Sequence, residues 1–188
     1  VDALVPAFIV ALLTQAGDRS PWLTAILADR YGKPLTIALA ALLAHGLGNG
    51  AAAFGATLIG PLLTPNAKAL LLALALVFGG VGALWPMRKP ARLERWKLGA
   101  LLTGFLGIFI LAAGDTTQFF TFAFGARSAN PWLAGVGATL GAFVVNAAAA
   151  FSGELSWRKL PVRAIRICGG LLFLATGVVI GAQALRLI

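Results

Sequence analysis

Two aspartates sit in sequence too apolar for solvated loops. Asp18 lies in Gln15-Ala16-Gly17-Asp18-Arg19-Ser20, and Asp115 lies in Ala113-Gly114-Asp115-Thr116-Thr117-Gln118, ninety-seven positions later. A carboxylate within hydrocarbon costs at least about 2.5 to 3.5 kcal/mol on insertion scales, so two related ones point to use. Oxygen donors surround them in sequence: Gln15, Ser20, Thr116, Thr117, Gln118, and, further along, Asn49 and Asn146. Pro21 has no N–H, so in a continuous helix the Gly17 carbonyl would be free for a ligand. Carboxylate, amide, hydroxyl and carbonyl oxygens form the shell that hard cations prefer. Two carboxylates balance one divalent ion, and protonating both as the ion leaves would exchange it for two protons.

Other chemistries have less to stand on. Asp18 and Asp115 could instead cap half-helices, or Asp18 could pair with Arg19, and both roles are compatible with ion binding. Arg19 opposes a cation unless its side chain reaches outward or meets an acid. His45 reads equally as a proton relay and as a packing residue bonded to a neighbouring carbonyl. Cys168 is the sole cysteine, and with His45 and Met87 it forms no soft-metal motif and no disulfide. No nucleophile–base pair or nucleotide-binding loop can be assembled, so no enzyme and no resident cofactor are expected.

The elements that position these residues are membrane-spanning. Of 188 residues, 60% are hydrophobic and 11% charged. Apolar runs reach the roughly 20 residues a helix needs to cross the bilayer, and strand-like alternation is missing. The fold class is an all-α integral membrane protein, its partner the lipid bilayer. Six spans are expected, at about 3–28, 34–62, 68–86, 98–126, 131–153 and 164–187, with the first and fourth bent or unwound at their Gly-Asp motifs. The first run, preceded by no basic residue, reads as a span rather than a leader.

The net charge of +9 has a topological reading rather than a nucleic-acid one. One side collects Arg30, Lys33, Arg88, Lys89, Arg92, Arg95, Lys97, Arg158, Lys159, Arg163 and Arg166, against Lys68, Arg127 and Arg186 on the other. By the positive-inside rule the first side is cytoplasmic and both termini lie outside. The tryptophans, near span ends, suit an aromatic belt.

A shift of 97 pairs Gly17 with Gly114, Asp18 with Asp115, Thr24 with Thr121, Arg30 with Arg127, Pro34 with Pro131 and Asn49 with Asn146. The 1–188 unit is therefore a single transmembrane domain built from two copies, 1–87 and 98–188, joined by a basic cytoplasmic loop at 88–97. Three helices is an odd number, so the copies would enter the membrane in opposite senses, as a 3+3 inverted repeat. Such repeats are typical of secondary transporters, with the substrate site between the halves.

At these motifs the chain resembles the GDT family of calcium and manganese proton antiporters, whose mark is two copies of Glu-x-Gly-Asp-Lys/Arg-Ser/Thr in the first and fourth of six helices. The likeness spans nearly the whole chain, including Cys168-Gly169-Gly170-Leu171-Leu172-Phe173. The family glutamate is replaced by Gln15 in one copy and Ala112 in the other, and Thr116 stands at the second basic position. The resemblance implies an inner-membrane exchanger of manganese or calcium for protons by alternating access, with Asp18 and Asp115 binding ion or protons. Gln15, Ser20, Thr117 and Gln118 would complete the shell, Gly17, Gly114 and Thr116 would shape the breaks, and Asn49 and Asn146 would hold the broken helices. A homo-oligomer is left open. Two other readings stand beside it: an exporter of a small organic or amino-acid-like solute held by Arg19, and a scaffold that transports nothing.

Overall fold

The structure, a computed structural model, describes residues 2–187. Among them are eight α-helices and no strand: α1 (Leu4–Ala16), α2 (Arg19–Tyr31), α3 (Pro34–Ile59), α4 (Pro65–Leu84), α5 (Gly99–Ala112), α6 (Thr116–Arg127), α7 (Trp132–Trp157) and α8 (Val162–Ala184). Local chemistry sets several ends. Pro34 and Pro65 occupy first helical positions, where a missing N–H removes no intrahelical bond. Thr64 caps α4 by accepting the Ala67 N–H at 3.2 Å.

Four helices, α3 with its short 3-10 extension to Leu62, α4, α7 and α8, are long and apolar enough to cross a membrane; α5 and α6, bent by 68°, make a fifth crossing if taken together. The protein is a multi-pass membrane protein. The stretch expected as a first span is divided at Gly17-Asp18: α1 is apolar, but its 13 residues reach only about 20 Å, and α2 carries Arg19, Asp29 and Arg30. The fourth expected span is broken as anticipated, its two parts separated by Ala113, Gly114 and Asp115.

Side chains are sorted in the sense of a bilayer protein. On α3, Leu35, Leu39, Leu43 and Leu47 are all exposed at four-residue spacing, while Ala38, Ala41, Ala44, His45 and Asn49 are buried. Small and polar residues fill the interior, where close backbone approach and hydrogen bonds replace the hydrophobic drive that lipid does not supply. The seam between α4 and α8 depends on this. A methyl group at Gly80 would lie 2.7 Å from the Gly170 carbonyl and 2.5 Å from Leu174.

The order of a broken pair, a long helix and a further helix occurs twice, and the two sets interlock. α3 packs on α7 and α4 on α8, while α1 and α2 pack on α7, and α5 and α6 on α3. The core is shared accordingly: Leu23, Leu27 and Ile37 meet Ile108 and Ala150, and Leu72 and Leu76 meet Phe120 and Phe173.

Several residues expected only as orientation signals hold structure together. Arg30 donates to the carbonyls of Leu93 (2.7 Å), Glu94 (3.1 Å) and Trp96 (3.0 Å), pinning the central loop to the end of α2. Arg92 pairs with Glu154 at 2.7 Å. The last expected boundary of α7, residue 153, is a kink rather than an end. Gly153 takes a φ of 73°, and the helix resumes with the Glu154 N–H donating to Asp29 Oδ2 at 2.7 Å. This turn carries Trp157 into the interior with Val145 and Ala149, so it is no part of an aromatic belt, whereas Trp85 and Trp132 are exposed.

Candidate functional site

Both helix breaks set an extended aspartate after a glycine, although Gly17 has a φ of −108° and Gly114 one of 71°. α1 stops at Ala16, Gly17 follows, and Asp18 is extended (φ −95°, ψ 169°) before α2 begins. In the second copy Gly114 has φ 71° and Asp115 is extended (φ −69°, ψ 167°) before α6. Each aspartate is thus the N-cap of the following half-helix, where the dipole stabilises a negative charge. The last carbonyls of α1 and α5 lack the amides that a continuous helix would bring. The expectation that Pro21 frees the Gly17 carbonyl needs correction: the helix is not continuous there, and Pro21 sits in the first turn of α2, where its missing N–H removes no bond.

The breaks face one cavity of about 250 Å³. Its lining includes Asp18, Asp115, Gln15, Gly17, Gly114, Thr116 and Thr117, so seven of the eleven singled-out residues meet there. The acids are held differently. Asp115 Oδ1 accepts the Gln118 N–H at 2.9 Å and Oδ2 accepts Gln15 Nε2 at 3.1 Å. The Asp18 carboxylate makes no capping bond of good geometry, although the amides of Arg19 and Ser20 lie near it. It is the less committed of the two.

The other four residues act at one remove. Gln118 is turned away from the cavity: its Nε2 donates to the Ala112 carbonyl at 2.8 Å and its Oε1 accepts the Gly114 N–H at 2.9 Å, splinting the second break. Ser20 is fully buried and donates to Gln15 Oε1 at 2.8 Å. Asn146 and Asn49 cross between the copies. The single hydroxyl hydrogen of Thr24 is shared between Asn146 Oδ1 (2.8 Å) and the Ser20 carbonyl (2.9 Å), and that of Thr121 between Asn49 Oδ1 (3.3 Å) and the Thr117 carbonyl (2.8 Å). Every residue of one set stands 97 positions from its counterpart in the other. Each broken helix is therefore fastened to the long helix of the other copy.

A family model described as "Divalent cation/proton antiporter GDT1" matches residues 3–91 and 100–187, which contain both breaks and every lining residue of the cavity. The chain belongs to this GDT family. The stretch left unmatched, 92–99, is the last part of the loop between α4 and α5 and the first residue of α5. A Vibrio cholerae protein (serotype O1, strain O395) described as "Putative manganese exporter" is 28% identical over 176 residues, covering 93% of this chain and 88% of its own length. No solved structure matches the chain. The family is one of transporters, and this member is a divalent cation transporter.

For a GDT transporter, the donor set is distinctive. Among the described residues no three His, Cys, Asp or Glu side chains cluster tightly enough to hold a metal ion. The remaining polar side chains of the cavity lining are the Thr14, Thr116 and Thr117 hydroxyls, the Gln15 amide and the Arg19 and Arg166 guanidinium groups. At the former glutamate position Gln15 contributes its amide as a donor to Asp115 and to Thr117 Oγ1 (3.0 Å), because its oxygen is already occupied by Ser20 and, at 3.4 Å, Asn146 Nδ2. His45 joins this network instead of bonding a neighbouring carbonyl: its Nε2 lies 3.2 Å from Ser20 Oγ and 3.4 Å from Asn146 Nδ2. The single Ser20 hydrogen goes to Gln15, so His45 Nε2 carries the proton and donates to Ser20, and the 3.4 Å approach of Asn146 Nδ2, itself a donor, is a contact without a hydrogen bond.

Two lining residues escaped sequence reasoning. Thr14 Oγ1 lies 3.1 Å from Thr117 Oγ1, and its position one residue before Gln15 was the available signal. Arg166, grouped with the cytoplasmic basic residues, instead reaches the cavity from the second turn of α8, and its Nη2 donates to the Gly82 carbonyl at 2.6 Å. Its spacing four residues before Gly170, where α4 and α8 touch, was the sole hint.

Proposed function

We propose that this transporter exchanges manganese, or alternatively calcium, for protons by alternating access across the inner membrane. The observation that carries the reading is that Asp18 and Asp115, one from each copy, line the same cavity at breaks in their helices. Asp18, with no strong hydrogen bond, is the ligand free to meet an ion; Asp115 joins by releasing Gln15. Thr116, Thr117 and the carbonyls at the helix breaks complete an oxygen shell, and Ser20, Gln118, Asn49 and Asn146 hold the ligands in register. The preference for manganese follows the description of the Vibrio relative.

In this reading the chain has six spans as a 3+3 inverted repeat, α1–α2 serving as the first, with the Arg30 and Arg92 side cytoplasmic and both termini outside. The crossed Thr24–Asn146 and Thr121–Asn49 bonds support that arrangement, since a two-fold relation makes such reciprocal pairs. Alternating access then amounts to rocking of the interlocked halves about the cavity.

The test is a proteoliposome assay with a pH-sensitive dye inside and manganese or calcium added outside. Wild-type protein should give ion-dependent proton flux, and Asp18→Asn and Asp115→Asn should each abolish it. Wild-type flux in both variants would refute the assignment. Solute flux indifferent to divalent cations would favour the organic-solute exporter instead.

A further inference from the structure

The cavity between the helix breaks holds two positive charges as well as two negative ones. Arg19 and Arg166 line it with Asp18 and Asp115, so with every group ionised the walls carry no net charge. That is a poor host for a divalent cation unless a guanidinium leaves or the ion is held only weakly. Arg19 is exposed, on a long side chain at the start of α2, and is free to turn away. Arg166 is not. It is partly buried, and its guanidinium is fastened to the Gly82 carbonyl at 2.6 Å. Its aliphatic stem lies against Gly17, where an added methyl group would sit 2.5 Å from Arg166 Cβ and 2.8 Å from both Cγ and Cδ. No acid is within ion-pair distance of it, since the one ion pair among the described residues is Arg92 with Glu154.

Arg166 also stands between two spaces. A second cavity, of about 460 Å³, lies between α2, the end of α4 and the start of α8, lined by Trp22, Trp85, Met87 and Arg163 among others. Gly17, Ala83 and Arg166 line both cavities. Of these three, Arg166 alone has a long side chain, and one hydrogen bond to the Gly82 carbonyl holds its head, so it is the part of the wall that moves once that bond breaks.

We propose that Arg166 is an affinity-setting gate residue. Its fixed charge at the wall weakens the hold on the divalent ion enough for release, and its swing from Gly82 into the second cavity opens the passage on the side of the α4–α5 loop. The inference rests on the cation-transport reading above and adds to it which residue limits affinity and which route the ion takes. A group that repels the bound ion and must move for the ion to pass has a recognisable signature when neutralised: binding strengthens and turnover falls. Loss of a merely structural residue weakens both.

The experiment is isothermal titration of manganese(II) into purified wild-type protein and the Arg166→Gln, Arg166→Met and Arg166→Lys variants, with liposome flux measured in parallel. Removing one positive charge beside a divalent ion should tighten binding by at least about tenfold in the Gln and Met variants. Half-saturation of flux should shift by a similar factor and the maximal rate should fall. The Lys variant, which keeps the charge, should bind like wild type. If wild type binds manganese(II) and the folded Gln and Met variants bind it equally or more weakly, the gate is overturned and the cation-site reading stands. If both neutral variants fail to fold, Arg166 is a structural residue and the gate is likewise overturned. If no form, wild type included, binds manganese(II) or calcium, the cation site itself falls and takes the gate with it.

Discussion

The contact between Gln15 and Asp115 can be tested by exchanging its donor and acceptor. Gln15 Nε2 donates to Asp115 Oδ2 at 3.1 Å, the Gln15 oxygen is taken by Ser20, and the other Asp115 oxygen is taken by the Gln118 amide. Neither side chain can rotate without losing a partner. Asp115→Asn therefore sets one amide nitrogen against another, and Gln15→Glu sets two carboxylates face to face. Each change removes a hydrogen bond to a charged group, about 2 kcal/mol, and leaves like groups opposed. The double variant, Gln15→Glu with Asp115→Asn, reverses the direction of the bond and keeps its total charge. At roughly 2–4 °C per kcal/mol for a chain of this size, each single change should lower the thermal midpoint of detergent-purified, divalent-free protein by about 4–8 °C, and the double should return to within about 2 °C of wild type. The coupling should exceed about 2 kcal/mol. The double also returns a carboxylate to the cavity, at the position where the GDT motif carries glutamate, so part of the manganese binding lost in Asp115→Asn should reappear. Additive losses of stability would refute the hydrogen-bond assignment at the centre of the site.

The crossed threonine–asparagine bonds should give measurable couplings in double-mutant cycles with Thr24→Val and Asn146→Leu, and with Thr121→Val and Asn49→Leu, read by detergent-induced unfolding. About 0.6 kcal/mol is typical for interhelical bonds in membranes, reaching about 1.7, and the 2.8 Å Thr24 pair should exceed the 3.3 Å Thr121 pair. Gly153→Ala forces a side chain to φ 73° and its methyl to 2.6 Å from Asp29 Oδ1, so the same unfolding assay should register a loss of about 1–3 kcal/mol. Arg30→Ala frees three carbonyls of the central loop and should speed tryptic cleavage at Arg95 and Lys97 by about tenfold, the folded helices staying intact on a gel. Arg92→Ala, which breaks an ion pair whose arginine is more than half exposed, should change stability by under about 1 kcal/mol.

Much of the architecture was legible because the membrane restricts what a chain can do. Long apolar runs can only be helices, and a Gly-Asp pair inside such a run cannot continue one comfortably, so both breaks could be located to within a residue or two. The 97-residue shift brought Thr24, Asn49, Thr121 and Asn146 into correspondence before any coordinates, and these four residues form the crossed bonds. The first span was harder. Hydropathy averages over a window, and averaging across 3–28 merges an apolar α1 with the part of α2 that holds only Arg19, leaving Asp29 and Arg30 beyond it. The expected limit at 153 falls short because the helix runs on past a kink at Gly153, where the Asp29 carboxylate accepts the next amide.

The site was less legible than the fold, for a reason that follows from its chemistry. Residue type identifies what a side chain can donate or accept but not which partner claims it first. Gln118 and Gln15 are the same residue three positions from their nearest aspartates, on opposite sides: Gln118 follows Asp115, so its backbone amide caps that acid and its side chain bends back to close the break, while Gln15 precedes Asp18 and crosses to the acid of the other copy. Sequence order alone separates them, and it does so only once the helix direction through each break is known. Arg166 was hidden by a different ambiguity. A basic residue near a span end normally reaches for the interface, and it turns inward here because Gly17 leaves room for its stem and the Gly82 carbonyl holds its head. The charge balance of the cavity thus depends on an arginine whose placement is written in two glycines elsewhere in the chain, one in the first helix break and one on α4.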